Sequence, residues 1–195
     1  MHSMSLAWLN LRAREYIAKI DQDSIKALLA AEADLVEGSV WLRAKPESAL
    51  TVLRRVVDRY RNSGNRSQAD RALLLFANAY AAAGAMDSAQ QTFEAAIAET
   101  ESRRSIIAST DDRARFLDRA RPVIDSVVSF LIARPDTLGA LEFLERMRSQ
   151  VLLEHLLERS PNAAPSRVSI ASLCSKLPPR TSVVSYAVLE RDVII

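Results

Sequence analysis

Leu73-Leu74-Leu75-Phe76-Ala77-Asn78-Ala79-Tyr80, followed by Gly84 and then by Ala89, Phe93 and Ala96, decides the fold of this 195-residue chain. Large and small apolar residues recur three and four positions apart on both sides of one glycine. That is the period of an α-helix, not of a strand. The spacing predicts two helices joined by a turn, with Gly84 ending the first in a left-handed conformation. Ala77 and Ala89 are small enough to let the two backbones approach. Tyr80 and Phe93 are large enough to fill the space between one hairpin and the next.

Two weaker copies flank this stretch. Ala49, Leu53 and Val56 repeat the spacing of Ala89, Phe93 and Ala96, and so do Ala140, Leu144 and Met147. The pattern resembles the tetratricopeptide repeat, a helix–turn–helix in which large, small and aromatic residues alternate. Leu73 stands where that family prefers Trp, Phe76 where it prefers Leu, and Ala77 where it prefers Gly. The copies are 40 and 51 residues apart, against a usual period of about 34. The resemblance therefore implies extended helices or turn insertions, not a regular array.

Working outward, the apolar period and its breakers predict helices near 5–20, 24–43, 46–62, 67–84, 87–107, 111–134 and 136–158. Asp23-Ser24 is expected to cap the second helix and Asp87 the fifth, because their side-chain oxygens can take orphan N–H groups. Pro46 suits a first helical turn, where its missing N–H costs nothing. Ser63-Gly64-Asn65 reads as a turn. Asp111-Asp112, behind Thr110, favour a helix N-terminus, and Pro135-Asp136 opens the last long helix. Short connections make successive helices antiparallel. The expected class is all-α: residues 5–159 form antiparallel hairpins stacked as a tetratricopeptide-like α-solenoid, each burying its apolar face on a neighbour.

Composition agrees and excludes several functions. Four glycines and seven prolines are too few for an all-β chain. One cysteine and two histidines, Cys174, His2 and His155, argue against a disulfide framework and a thiolate or imidazole metal site. With 26 basic and 24 acidic residues the net charge is +2, so neither nucleic acid nor an anionic membrane is an expected partner. The longest mostly apolar stretch, Ala72–Ala85, is interrupted by Asn78 and is short of the roughly 20 residues of a span. No signal peptide is evident, and the expected location is the cytoplasm. No cofactor is expected.

After Leu157 the character changes. Ser160-Pro161-Asn162-Ala163-Ala164-Pro165-Ser166 falls in a linker, 160–169. A helical turn is expected at Ile170–Lys176. Thr181-Ser182-Val183-Val184-Ser185-Tyr186-Ala187-Val188-Leu189 is β-branched and aromatic and reads as a strand. Glu190-Arg191-Asp192 can turn it into Val193-Ile194-Ile195, giving a short C-terminal β-hairpin. Such a hairpin is marginal alone. The chain is expected either to be the front of something larger or to lean its tail on the helices.

The order of motifs in the C-terminal third carries a second resemblance. Ala140-Leu141-Glu142-Phe143-Leu144-Glu145-Arg146-Met147-Arg148-Ser149-Gln150-Val151-Leu152-Leu153 is followed by Leu177-Pro178-Pro179-Arg180 and Val184-Ser185-Tyr186-Ala187-Val188-Leu189. This resembles the junction between a tetratricopeptide array and a CHAT domain, the caspase-like α/β domain associated with such repeats. The resemblance implies that 170–195 begin that domain. It also implies a cysteine-peptidase-like sheet whose His and Cys lie on later strands. His155 precedes the sheet and Cys174 precedes the first strand. Neither matches a catalytic position, so the chain itself is not expected to be an enzyme. The alternative is the regulatory front end of an active cysteine peptidase whose His and Cys lie beyond residue 195.

Most polar residues have simple structural readings. Cys174 reads as a free thiol, and His155 as a partner of Glu154 or Glu158. Arg54, Arg55, Arg59 and Arg61, and Arg113, Arg115, Arg119 and Arg121, are interleaved with Asp58, Asp111, Asp112 and Asp118. They read as solvated, paired faces and not as a phosphate site. Trp8 and Trp41 read as packing residues. A binding surface follows from geometry, since the first helix of each stacked hairpin lines a concave groove. Asp34, Trp41, Arg71, Asn78, Asp125 and Ser129 are the expected groove residues, with the Asn78 amide placed to bond an extended backbone. The expected partner is a protein or peptide. Self-association through the C-terminal strand is the other possibility the apolar run raises.

Overall fold

Proline and capping residues set the helix boundaries. The computed structural model describes residues 2–62, 68–107, 109–159, 170–189 and 193–194. Within them lie α1 (His2–Ala18), α2 (Asp23–Ala44), α3 (Pro46–Asn62), α4 (Ala69–Ala82), α5 (Met86–Ser105), α6 (Thr110–Ala133), α7 (Thr137–Arg159), α8 (Ile170–Cys174), β1 (Ala187–Val188) and β2 (Val193–Ile194). The chain is predominantly helical, and the seven expected long helices are present with ends within three residues of the expected ones. The expected turns at Ser63-Gly64-Asn65 and Glu190-Arg191-Asp192 and the linker 160–169 lie outside the described residues. So do the side chains of Asp111, Asp118, Arg119, Glu154, His155 and Glu158.

The caps show why the ends fall where they do. α4 closes in a Schellman motif: the Ala85 N–H donates to Tyr80 O at 2.9 Å and the Gly84 N–H to Ala81 O at 3.1 Å. Gly84 has φ +78°, as its role requires. Asp136 stands just before α7, and its Oδ1 accepts the Gly139 N–H at 2.9 Å. Three helix starts differ from expectation. The residue before α2 is Gln22, whose side chain makes no cap bond, and Asp23 lies inside the first turn. There it acts through the helix dipole instead of through a hydrogen bond. α6 is capped by Ser109, whose Oγ accepts the Asp112 N–H at 3.4 Å. Asp87 likewise sits in the first turn of α5.

The backbone groups into two compact units, Met1–Ser102 and Arg103–Ile195, with the division inside α5. In the first unit α1 packs on α2, α2 on α3 and α4, and α3 on α4. α3 buries Ala49, Val52, Leu53, Val56, Val57 and Tyr60, a single face at helical spacing. α4 buries Ala69, Ala72, Leu73, Leu74, Phe76, Ala77 and Ala79 on more than one face, as a helix between neighbours must. Fully burying each large apolar side chain is worth about 1.5–3 kcal/mol, so this cluster dominates the unit.

In the second unit α6 packs on α7, and α8 touches α7. β1 and β2 pair antiparallel with Ala187 opposite Ile194 and Val188 opposite Val193. The expected strand 181–189 is therefore much shorter: among the described residues only 187–188 are in a ladder. A β-branched run favours extension but needs a neighbour to pair with. Here β2 supplies two described residues. Ala187 and Leu189 are buried, whereas Tyr186 and Val188 are exposed, the alternation a half-covered strand produces.

Candidate functional site

Several polar side chains of the first unit converge on α2. Arg14 of α1 donates from Nη2 to Asp34 Oδ1 and to Glu37 Oε2, both at 2.6 Å. Arg59 of α3 approaches Asp34 Oδ2 at 3.7 Å. The Tyr60 hydroxyl donates to Glu32 Oε1 at 2.8 Å, and Asn10 Nδ2 donates to Ala33 O at 3.0 Å. Three carboxylates on one helix thus tie down the helices on either side of it. Burial works to lower the Arg14 pKa, but the hydrogen bonds and charges of Asp34 and Glu37 outweigh it and raise it. Burial first, then the hydrogen bond and charge of Glu32, push the Tyr60 phenol well above its ordinary value.

Of the six expected groove residues, four lie in the first unit. Asp34 is buried at 6% exposure, with arginines at both carboxylate oxygens. Trp41, two turns further along α2, is half-buried, and Lys45 Nζ sits 5.1 Å from its ring. Arg71 is exposed on α4, and Asn78, two turns on, is half-buried. The two pairs occupy helices that pack on each other. The other two residues lie on α6 in the second unit. Asp125 is half-buried and ion-paired with Arg121 at 3.9 Å, and Ser129 is exposed.

A cleft of about 410 Å³ opens between α3, α4 and α5, lined among others by Val57, Tyr60, Arg61, Leu73, Ala98 and Glu99. The sequence reading missed it. Its lining includes Arg61 and the buried Glu99, residues 38 positions apart in helices two elements distant, and no local pattern links them. Its lining residues among the described ones include no cysteine, histidine or serine.

The remaining expectations resolve by contact. Trp8 is not a packing residue: it is 60% exposed, with the Arg12 guanidinium 6.0 Å from its ring. In the first unit α1 packs on α2, which covers one side of it and leaves Trp8 on another. Several of these arginines are engaged with protein groups. Arg54 lies 5.8 Å over the Phe76 ring and donates to the Tyr80 hydroxyl at 3.1 Å. Arg113 Nε donates to Ile107 O at 2.6 Å, and Arg115 pairs with Asp112 at 3.5 Å. Cys174 is an exposed free thiol. Among the described residues no group of three or more His, Cys, Asp or Glu could hold a metal ion. None of the described helices is long and apolar enough to cross a membrane. Comparison with protein-family models, with curated proteins and with solved structures gives no match.

Proposed function

We propose that the chain is a protein–protein interaction scaffold: a tetratricopeptide-like helical stack that recruits a protein or peptide partner in the cytoplasm, and leads into a caspase-like CHAT domain that it positions or regulates. The observation that carries this reading is the placement of small residues at the packed positions of all three repeat copies. Ala49, Ala77, Ala89 and Ala96 are 0% exposed and Ala140 is 2% exposed, which supports the close helix approach that stacked hairpins need. Trp41, Arg71 and Asn78 then present a ring, a guanidinium and an amide on the neighbouring helices α2 and α4. Asp34 serves beneath them as a strut. Asp125 and Ser129 lie on α6, in the second unit. Recognition is by apolar contact and hydrogen bonding on a preorganised surface, without chemistry.

One contact bears on the CHAT part of this reading, and equally on a second reading, the regulatory front end of an active cysteine peptidase. Arg148, in the Glu145-Arg146-x-Arg148 run of α7, donates to the Tyr186 carbonyl at 2.6 Å. The two motifs that carry the CHAT resemblance are thus joined in space.

Panning a library of extended peptides on the full chain tests the scaffold. Bound peptides are expected to lose at least tenfold in affinity on Arg71→Ala with Asn78→Ala, with helical circular dichroism unchanged. No enrichment, or binding indifferent to the double substitution, overturns the reading.

A further inference from the structure

We infer that Arg121 and Arg148 form a two-point latch that holds the Ser185–Leu189 segment on α6 and α7 by its main chain, so that the strand responds to the spacing of those two helices. Arg121 Nη2 donates to Val188 O at 2.8 Å. Arg148 Nη2 donates to Tyr186 O at 2.6 Å, and its Nη1 reaches Ser185 Oγ at 3.4 Å and Glu145 Oε1 at 2.9 Å. Carbonyls two residues apart on a strand face the same side and are about 6–7 Å apart. One arginine from each helix takes one of them.

The grip is on the backbone. Tyr186 and Val188 point outward, 63% and 53% exposed, while the inward Ala187 and Leu189 are buried. Recognition by carbonyls tolerates changes in the outward side chains. It does not tolerate displacement, because a hydrogen bond of 2.6–2.8 Å is lost beyond about 3.5 Å. Helix shifts in switching proteins are about 1–2 Å. A shift of α6 against α7 by that amount opens one point of the latch. Asp125, ion-paired with Arg121 at 3.9 Å, helps aim the guanidinium, so a cationic group binding at Asp125 acts on the latch directly.

This device does not depend on the groove reading, and its test uses a separate observable: amide hydrogen exchange, by mass spectrometry, of the full chain. In Arg121→Gln with Arg148→Gln, amides of 185–189 are expected to exchange at least tenfold faster, while α6 and α7 keep their protection. Tyr186→Ser, which alters only an outward side chain, is expected to leave 185–189 as in the parent. Ala140→Val overpacks the buried face of α7 with both arginines in place, and is expected to speed exchange at 185–189 as well. Unchanged exchange at 185–189 in the double Gln chain or in Ala140→Val overturns the latch, and so does accelerated exchange in Tyr186→Ser.

Discussion

A β-carbon built on Gly38 of α2 would lie 2.5 Å from Cδ2 and 2.6 Å from Cγ of Leu53 on α3. Leu53 is fully buried, and Cγ is its branch point, so the whole side chain would have to move. Mid-helix glycine costs about 1 kcal/mol relative to alanine, and here the close approach of two helices offsets that loss. Gly38→Ala regains helix propensity but overpacks the contact by about 1–3 kcal/mol. The expected net is a destabilisation of about 1 kcal/mol, read from the urea midpoint. A higher midpoint for Gly38→Ala would show that Leu53 yields without strain.

Asp34 meets Arg14 at 2.6 Å with its own side chain 8% exposed and that of Arg14 36% exposed. Removing one partner of a fully buried pair costs about 3–5 kcal/mol. Water reaches both Arg14 and Arg59, 36% and 39% exposed, and screening reduces the loss. Asp34→Ala is expected to cost roughly 2 kcal/mol, because the arginines then face an emptied site. Asp34→Leu with Arg14→Met, which removes the charges together, is expected to cost less than Asp34→Ala. Equal losses would mean that the packing of Asp34, not its charge, is what holds α1.

Gly84 has φ +78° and no atom within 4 Å of where a β-carbon would stand. An added methyl therefore meets space, and only backbone strain opposes it. The left-handed conformation costs an ordinary residue about 1–2 kcal/mol, and asparagine less. Gly84→Ala is expected to lower the melting temperature by roughly 2–4 °C for about 1 kcal/mol, and Gly84→Asn by less. Identical melting of all three chains would remove the Schellman turn as the stop of α4.

The helices were legible because small and large residues, as at Ala49, Leu53 and Val56 or at Ala89, Phe93 and Ala96, recur at helical spacing, and spacing is a local property. The Gly84 stop was legible for the same reason. The α6 cap slipped to Ser109, since several polar residues in a row can each satisfy an orphan N–H, whereas Asp23 fell inside the first turn of α2. What the sequence could not display is contact at a distance. The Arg14–Asp34 pair spans 20 residues and the Arg121–Val188 bond spans 67. The same limit hid the Gly38–Leu53 approach and the α3–α4–α5 cleft. It also shortened β1, because strand propensity in 181–189 says nothing about which segment will pair with it.

Tyr60 links stability to pH. It is 1% exposed and donates to Glu32 at 2.8 Å, and burial, then Glu32, raise its pKa above the usual 10.0. The folded chain thus keeps a phenol proton that the unfolded chain begins to release near pH 10. Below that pH the stabilisation is complete. As pH rises past it, the unfolded state binds fewer protons than the folded state, and stability falls by up to about 1.4 kcal/mol per pH unit. Tyr60→Phe removes the titration together with the hydrogen bond. The variant is expected to be about 1 kcal/mol less stable at pH 7, since Glu32 loses a donor. Its unfolding midpoint is expected to change less than the parent's between pH 9.5 and 11. Parallel pH profiles for the two chains would show that the Tyr60–Glu32 bond is not what couples proton loss to unfolding.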